Sequence, residues 1–304
     1  MTLGIKPTVD FAFKKIFGTR ENAAALVGLA NSVLAPDEEI VEVQILNPFS
    51  YQEFADQKLI VLDIRARDMA GRWLNIEMQL NVAAGLRQRL VYYACSLYTE
   101  QLERGESYAQ LRPAICICLL CDVLFTDVPD AHHRFRLVDA ERQRLLSDMV
   151  EVHTVELTKY NLEEASISQA SSIEQWAFFL LYADRYETER LRELLPGDAF
   201  QRAISAAEAI RRKTEDRTMY DQREKAQRDY LAALEGAQQK GIELGIEQGI
   251  EQGIEQGELM GKIELLYQLL GDEALSKEEL RKLSTDELSS MLTELQERLR
   301  SRGL

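Results

Sequence analysis

The sequence predicts an α/β or α+β core built on a mixed central sheet flanked by helices, with a C-terminal helical extension. Strand-like and helical segments alternate over the first half of the chain, whereas the pattern from residue 172 onward is helical. One segment alternates apolar and polar residues like a hairpin, and another is a near-continuous apolar run like a strand buried on both faces. These two kinds of strand together indicate a mixed sheet.

The first half of the chain supplies the elements of this core. Pro7 and Thr8 begin a short helix that Gly18 ends, and a second helix ends before Pro36. From Leu86 onward, apolar residues recur at helical spacing. The predicted elements are helices at 8–17 and 21–34, a strand at 40–46, a hairpin at 58–68 and 72–80, a helix at 86–103, a buried strand at 113–125 and weaker strands at 134–138 and 150–157.

The second half is predicted to be helical. Two capping boxes, Ser276 with Glu279 and Ser284 with Glu287, indicate helix starts near the C-terminus. The predicted helical segments are 172–184, 187–195, 198–235 and two or three short helices within 263–302. We therefore divide the chain into a core at 1–165, a helical extension at 166–236, a glycine-repeat connector at 237–262 and a small helical segment at 263–304.

Between residues 241 and 261 glycine recurs at every fourth position, in the run GIELGIEQGIEQGIEQGELMG. Each glycine costs a helix about 1 kcal/mol relative to alanine, so an isolated helix is expected to be unstable here. A four-residue period drifts right-handedly around a helix, and a second chain that follows the stripe can approach closely at glycine. We expect a semi-flexible connector that becomes helical on self-association, and a homo-oligomer formed through the C-terminal region.

Composition and charge limit the class of protein. With 46% hydrophobic and 29% charged residues over 304 positions, the chain is globular rather than disordered. The net charge of -15 argues against a general nucleic-acid binder, but residues 1–150 carry 16 Lys+Arg against 20 Asp+Glu and so leave room for a local basic groove. Without an apolar run of ~18 residues or a secretory signal, we expect no membrane partner, and a cytoplasmic protein with reduced cysteines.

The segment LDIRARDMAGRWLNIEMQ, residues 62–79, predicts a hairpin whose turn determines its register. Asp68 suits the first position of a type I turn, and Gly71 supplies a left-handed residue. With Met69-Ala70-Gly71 as the loop, Asp63 lies directly opposite Glu77. Side chains then alternate between two faces. One face carries Asp63, Arg65, Arg67, Trp73, Asn75, Glu77 and Gln79, and the core face carries Leu62, Ile64, Ala66, Leu74, Ile76 and Met78.

Opposed carboxylates on neighbouring strands repel each other and destabilise the pair. The repulsion is relieved either by solvent, on an ordinary exposed face, or by a divalent cation, which prefers oxygen ligands. Such a cation could also bind phosphate oxygens and lower the pKa of a bound water. Spacing alone favours the solvated face. Basic residues that could hold a phosphate backbone nearby are Arg65, Arg67, Arg87 and Arg89.

Asp63 followed by Glu77-Met78-Gln79 resembles the D…E-x-K core of the PD-(D/E)XK phosphodiesterase superfamily. More closely, the chain resembles the Rpn family of recombination-promoting nucleases, also described as transposases of the PD-(D/E)XK type. The matching stretches are VDFAFKKIFG at 9–18, KLIVLDIRARDMAGRWLNIEMQ at 58–79, RQRLVYYACSLYTEQLERGESYAQLRPAICICLL at 87–120, HHRFRL at 132–137 and VEVHTVELTKY at 150–160. The resemblance covers residues 5–185 well and the tail more loosely, where the GIEQG repeat is also typical.

The resemblance implies a restriction-endonuclease-like core and DNA cleavage that depends on Mg²⁺, with Mn²⁺ as a possible substitute. Carried over by position, Asp63 and Glu77 become metal ligands, and the backbone carbonyl of Met78 can add a third. Gln79 takes the position of the superfamily lysine; glutamine can form hydrogen bonds but carries no charge. This E-x-Q form is usual in the Rpn family, and Leu62 replaces the superfamily proline.

Three further residues take part in family-like motifs. Asp10 lies in the opening motif of the family, where it is either a supporting acid near the metal or an acid favoured by the helix dipole. Gln88 and Tyr92 form a Q-x-x-x-Y pair one helical turn apart. Related nucleases use such a pair beside the active site, whereas the alternative is ordinary helix-surface polarity.

Other residues with reactive or ligating side chains are expected to be structural. Three cysteines in or near the buried strand resemble a metal cluster only superficially, and three scattered histidines lack partners at ligand spacing. Both tryptophans are expected to pack. These residues are Cys116, Cys118, Cys121, His132, His133, His153, Trp73 and Trp176.

Two functions therefore follow from the sequence. The first is an Mg²⁺-dependent DNA endonuclease that acts in recombination or DNA mobility. The second is a DNA-binding or self-associating interaction protein that keeps the nuclease fold with little or no activity. The retained acid pair favours the first, whereas the net acidity and Gln79 leave room for the second.

Overall fold

A computed structural model describes residues 2–34, 39–49, 63–273 and 275–301, with Asp63 described in its main chain only. Residues 58–62 of the expected hairpin lie outside these ranges. The chain divides into two compact units, Met1–Gln227 and Arg228–Leu304, and each is described by itself.

The described strands of the first unit form one six-stranded mixed sheet. They are β1 (Val43–Ile45), β2 (Asp63–Asp68), β3 (Trp73–Gln79), β4 (Ala114–Leu120), β5 (His132–Val138) and β6 (Leu145–Glu156). Their order across the sheet is β1-β2-β3-β4-β6-β5. Strands β1 to β3 pair antiparallel, β4 lies parallel to both β3 and β6, and β5 is antiparallel to β6. The predicted mixed sheet is therefore confirmed.

Helices surround this sheet, as predicted. Those described in the first unit are α1 (Asp10–Phe17), α2 (Ala23–Leu34), α3 (Leu86–Thr99), α4 (Glu164–Ile167), α5 (Ser172–Tyr182), α6 (Thr188–Leu194), α7 (Asp198–Arg212) and the beginning of α8 (Thr214–Leu270). Helix α3 connects the parallel strands β3 and β4, so its N-terminus lies at the carboxyl end of β3.

The main hydrophobic core lies on one face of the sheet. The apolar side chains of the hairpin are buried there, as alternation predicted, together with residues of α1, α2, α5 and α7. Trp176 of α5 is 1% exposed and packs edge-on against Phe17, so its predicted packing role is confirmed. The hairpin residues in this core are Ile64, Ala66, Leu74, Ile76 and Met78.

Helix α3 covers the other face of the sheet. Its apolar stripe packs on the central strands β4 and β6 and forms a smaller cluster. The buried members are Leu86, Leu90, Ala94, Cys116, Cys118, Leu120 and Val152. The polar face of the hairpin is therefore partly covered by a helix, a contact that the strand pattern alone does not show.

Strand β4 is shorter than its apolar run. It was expected to reach residue 125 but ends at Leu120. The amide of Cys121 makes the next bond, to the carbonyl of Gln79 at 2.9 Å. The Asp122 carboxylate then accepts the amides of Val82 at 3.0 Å and Val123 at 2.8 Å. These side-chain bonds replace the strand ladder and turn the chain out of the sheet.

Strand β6 is longer than predicted, because it begins at Leu145 rather than at residue 150. Its first residues are mostly exposed and pair with the end of β5 across an irregular register. Asp139 closes the turn by accepting the amides of Glu141 and Arg142, both at 3.0 Å. An exposed strand end lacks the apolar alternation that sequence analysis relies on.

The glycine repeat differs most from expectation. It is helical in the single chain, within α8, whereas we expected a semi-flexible connector that can become helical on self-association. The residues between the glycines are mainly Ile, Glu and Gln, and the latter two favour helices; no proline interrupts the backbone ladder. An ideal Cβ at any repeat glycine from Gly241 to Gly261 meets nothing within 4 Å. The four isoleucines between them are 50–59% exposed.

The second unit, Arg228–Leu304, has a small hydrophobic cluster of its own. It contains most of α8 and the helices α9 (Lys277–Leu280) and α10 (Thr285–Ser301). Both predicted capping boxes are present: Glu279 accepts the Ser276 amide at 2.8 Å, and Glu287 accepts the Ser284 amide at 2.7 Å. The buried cluster consists of Ile263, Leu270, Leu280, Leu288 and Leu295. In neither unit does a described helix have the length and apolarity to span a membrane.

Candidate functional site

The hairpin register places Asp63 opposite Glu77, as the turn chemistry predicted. The Asp68 amide donates to the Arg72 carbonyl at 3.1 Å, and the Gly71 amide donates to the Asp68 carbonyl at 3.0 Å. Gly71 has a φ of 82°, which L-residues with a side chain rarely adopt. The turn therefore determines which residues face each other at the far end of the hairpin.

Glu77 is 3% exposed, which rules out the solvated face that spacing alone favoured for this residue. Each of its carboxylate oxygens accepts a bond from a neighbour on the same strand face. Asn75 Nδ2 donates to Oε1 at 2.8 Å, and Gln79 Nε2 donates to Oε2 at 3.3 Å. Two neutral amides therefore orient a buried carboxylate.

Asn75 is a site residue that sequence reasoning did not single out. It is 4% exposed, and its Oδ1 is buried without a hydrogen-bond partner in the described part of the chain. Its position two residues before Glu77 was the available signal, because period-two alternation puts both on one face. A buried acceptor without a donor beside a buried acid indicates a place for a ligand with a positive charge or an N–H group.

Cys118 lies next to Glu77, as its registered partner across the parallel pair of β3 and β4. Burial, followed by the charge of Glu77, raises the pKa of the Cys118 thiol well above its usual value. Burial also raises the pKa of Cys121 to about 12. Both thiols are therefore neutral near pH 7, in agreement with the expected packing role. Within the described ranges, no three His, Cys, Asp or Glu residues group as a metal site.

The two basic residues of the hairpin face are placed near its polar side. Arg65 forms an ion pair with Glu100 at 2.9 Å, at the end of α3. Arg67 is exposed and donates to Gln44 Oε1 of β1 at 3.2 Å. The Arg65 side chain is 36% exposed and Arg67 is exposed, so a polyanion can reach both.

The two predicted arginines of α3 lie on opposite flanks of the helix. Arg87 donates to the Leu124 carbonyl at 3.3 Å and lies 5.0 Å from the Phe125 ring centre. It lines an apolar cleft of about 300 Å³ on the β6 side. Arg89 lies 6.0 Å from the Tyr93 ring centre. Its Nε and Nη2 atoms are buried, and neither makes a hydrogen bond within the described part of the chain.

Gln88 and Tyr92 lie on the outer side of α3, away from the apolar stripe that packs on the sheet. Both are exposed, and Tyr92 is 66% exposed. The structure does not bury this pair against Glu77. A role for Gln88 and Tyr92 beside the site stays a prediction, which would need DNA to lie along the outer side of the helix.

Asp10 begins α1 and is 2% exposed. Its Oδ1 accepts the Phe11 amide at 2.7 Å, and its Oδ2 lies 3.7 Å from Arg223 Nη1. Burial raises the pKa of Asp10, and the charge of Arg223 opposes that shift. The structure thus places Asp10 beside an arginine of α8, and its predicted role as a supporting acid stays a prediction.

The histidines form a network between β5 and β6. His132 Nε2 and His153 Nδ1 are 2.9 Å apart, and the two rings stack. His153 Nε2 lies 3.3 Å from Glu151, which also binds Arg134 through two bonds at 3.0 and 2.6 Å. This network ties two strands together, in agreement with the structural role expected for the histidines.

The fold and the site define a PD-(D/E)XK-type core: a mixed sheet, a hairpin that opposes two acids, and a helix that covers the polar face. The family model described as PD-(D/E)XK nuclease family transposase matches residues 7–237. The chain therefore belongs to this family. Comparison with curated proteins gave no match, and comparison with solved structures gave none either.

Proposed function

We propose that the protein is a metal-dependent DNA endonuclease that hydrolyses phosphodiester bonds during recombination or DNA mobility. The observation that carries the proposal is the burial of Glu77 directly across from Asp63. A divalent cation bound between the two acids would compensate their charges. Membership of a nuclease family supports DNA as the substrate.

The residues present suit a divalent cation such as Mg²⁺ or Mn²⁺. Asp63, Glu77 and the carbonyl of Met78 offer hard oxygen ligands, and the buried Asn75 Oδ1 adds an acceptor that receives no hydrogen bond within the described ranges. When bound, the cation supplies charge neutralisation of the acids and of the scissile phosphate, and acidifies a water. Cleavage also needs an oriented carboxylate and a DNA phosphate held in position. The side chains of this protein supply both effects.

Glu77 is oriented by the amides of Asn75 and Gln79. Because each carboxylate oxygen already accepts one bond, the carboxylate plane is held at a fixed angle to the strand. Gln79 can also hydrogen-bond an attacking water, but a neutral amide neither removes its proton nor adds positive charge. The base that accepts the proton of this water is therefore not Gln79.

DNA is the proposed partner of the polar hairpin face. Arg65 and Arg67 lie on that face, and Arg87 lies on the flank of α3 next to β6. All three can contact phosphates along a bound DNA backbone. Such contacts position the backbone without selecting its sequence. The acidic remainder of the chain repels DNA, so binding is confined to this face.

Self-association through the second unit is proposed as well. The helix α8 displays Ile242, Ile246, Ile250 and Ile254 at four-residue spacing, each at least half exposed. The glycines between them leave room for close approach of a second helix. A contiguous exposed apolar stripe of this kind is typical of a surface that packs against a partner.

Plasmid cleavage with Mg²⁺ or Mn²⁺ tests the enzymatic proposal. We compare wild type with Asp63→Asn and Glu77→Gln, and use Glu141→Gln in the exposed β5–β6 turn as a matched control. Wild type and the control should cleave, and both site variants should not. Equal cleavage by all four proteins would remove the site assignment. Wild type that binds DNA without cleaving it would favour the interaction protein with a retained nuclease fold.

A further inference from the structure

Arg89 carries two buried guanidinium nitrogens. Its Nε and Nη2 are fully shielded from solvent, and within the described ranges neither donates a hydrogen bond. The centre of the Tyr93 ring lies 6.0 Å from Arg89 Cζ, but the ring does not accept hydrogen bonds from these nitrogens. Burial of such donors is unfavourable unless a ligand accepts hydrogen bonds from them. The arrangement therefore indicates an anionic ligand.

The position of Arg89 on α3 directs it towards the hairpin. Residues 89, 93, 96 and 100 follow one another at helical spacing and form one flank of the helix. The last member, Glu100, contacts Arg65 of β2 at 2.9 Å, which identifies this flank as the one that faces the hairpin. Arg87 lies on the other flank, against Leu124 and Phe125.

Along the helix, Arg89 lies in the first turn of α3. Its flank runs from Glu100, beside Arg65, back towards the N-terminus of α3, which lies at the carboxyl end of β3. Long side chains of a helix lean towards its N-terminus, so Arg89 extends towards the strand end that carries Glu77 and Gln79. The charges of Arg89 and Glu77 both act on the buried Cys118 thiol, with opposite sign.

We propose that Arg89 binds the scissile phosphate and supplies from helix α3 the positive charge that the neutral Gln79 does not supply from strand β3. This inference rests on the proposed nuclease function. A guanidinium donates two parallel N–H bonds to phosphate oxygens, and it keeps its charge at every physiological pH. Charge that builds on those oxygens during attack is therefore stabilised by a group that is fixed in advance.

Cleavage kinetics test the role of Arg89. Arg89→Met should lower the cleavage rate at saturating DNA by about 100-fold, as removal of one preorganised donor does in other enzymes. Arg104→Met, in the exposed loop after α3, is the matched control and should retain wild-type activity. Arg89→Lys keeps the positive charge but lacks the forked pair of N–H donors. Its cleavage rate should therefore lie between those of Arg89→Met and wild type. Cleavage by Arg89→Met within about threefold of wild type would overturn the proposal.

Restoration of charge from the strand separates a chemical role from a packing role. In the double variant Arg89→Met, Gln79→Lys, a lysine places a cation on the strand, and the cleavage rate should recover at least tenfold over Arg89→Met. If Arg89 only packs on Tyr93, Gln79→Lys cannot repair its loss. An absence of recovery, with the double variant folded as judged by circular dichroism, would count against the charge role.

A binding measurement without metal tests the same idea apart from catalysis. In EDTA, inorganic phosphate should raise the melting temperature of wild type and of Arg104→Met, but not that of Arg89→Met. Removal of a buried unpaired charge should itself leave the melting temperature of Arg89→Met equal or higher. Equal phosphate shifts in all three proteins would refute the assignment of Arg89. Failure of the nuclease proposal would instead appear as wild type that does not cleave, whatever its phosphate shift.

Discussion

The side-chain amide of Asn75 donates to Glu77 at 2.8 Å while the Oδ1 of the same side chain is buried without a hydrogen-bond partner in the described chain. The two residues stand one side-chain repeat apart on β3, so a single stretch of strand supplies both the acid and the group that orients it. In metal sites, partners that orient a ligand commonly affect affinity or activity by 10–100-fold.

We expect Asn75→Ala to lower cleavage about 10–100-fold, because the Glu77 carboxylate loses its fixed orientation. The measurement is the cleavage rate as a function of Mg²⁺ concentration. Asn161→Ala, at an exposed position between β6 and α4, is the control and should match wild type. A rate for Asn75→Ala equal to that of the control would show that Glu77 needs no support from Asn75.

Glu77→Gln should stabilise the metal-free protein while abolishing cleavage. Opposed carboxylates destabilise a strand pair, so removal of one charge should raise the free energy of unfolding by about 1 kcal/mol. The measurement is urea denaturation in EDTA, with Glu141→Gln as the control. Addition of Mg²⁺ should then stabilise wild type and leave Glu77→Gln unchanged. A Glu77→Gln protein that is less stable than wild type in EDTA would show that Glu77 has a structural role.

The histidine network should make stability depend on pH. Burial, followed by the charge of His153, lowers the pKa of His132 to about 4 from 6.5. Between these values the unfolded chain binds a proton that the folded chain does not, so the free energy of unfolding falls as pH drops from 6.5 to 4. The loss is about 1–2 kcal/mol, since the half-buried ring is partly screened by solvent.

Urea denaturation at pH 7 and pH 4.5 measures this loss, and His132→Gln should reduce it. The Glu151 carboxylate affects the free energy of unfolding over a different pH range. Burial raises the pKa of its carboxyl, but the bonds from His153 and Arg134 outweigh burial and lower it to about 2. Its contribution is present above pH 4.5 and is lost only as pH falls towards 2. An equal pH dependence in wild type and His132→Gln would remove the assignment.

Alanine at the repeat glycines distinguishes a free helix from an associated one. In a free helix, Gly249→Ala and Gly253→Ala should each stabilise by about 1 kcal/mol. If a second chain packs at the glycines, each added methyl group should weaken association instead. Sedimentation of the full-length variants, beside wild type and a chain that ends near residue 236, measures this. We expect a weaker oligomer, and an identical monomer in every sample would exclude association.

Much of the fold follows from local chemistry. The hairpin register came from Asp68 and Gly71, because these residues specify one turn and the turn determines the pairing. The core face came from alternation, which is a property of any strand. The end of β4 could not be predicted from local sequence, because the bonds of Asp122 to Val82 and Val123 depend on where a distant loop lies.

The site was predictable only in part, for a related physical reason. Alternation identifies the residues that share a face with Glu77, but not the helix that covers that face. Arg89 and Arg87 are two positions apart in a run of similar sequence, and only the packing of α3 separates their environments. The glycine repeat shows the converse: helix propensity predicted instability, yet the residues between the glycines form a continuous helix.

Most surface turns tolerate insertion and deletion, because their length affects nothing beyond themselves. The turn at residues 69–71 does not have this freedom. A shift of one residue in strand pairing moves every side chain to the opposite face, so the loss of Ala70 alone would carry the acid pair out of register about 20 Å away. In this protein, the number of residues in an exposed loop is as much a requirement for the proposed activity as the identity of the acids.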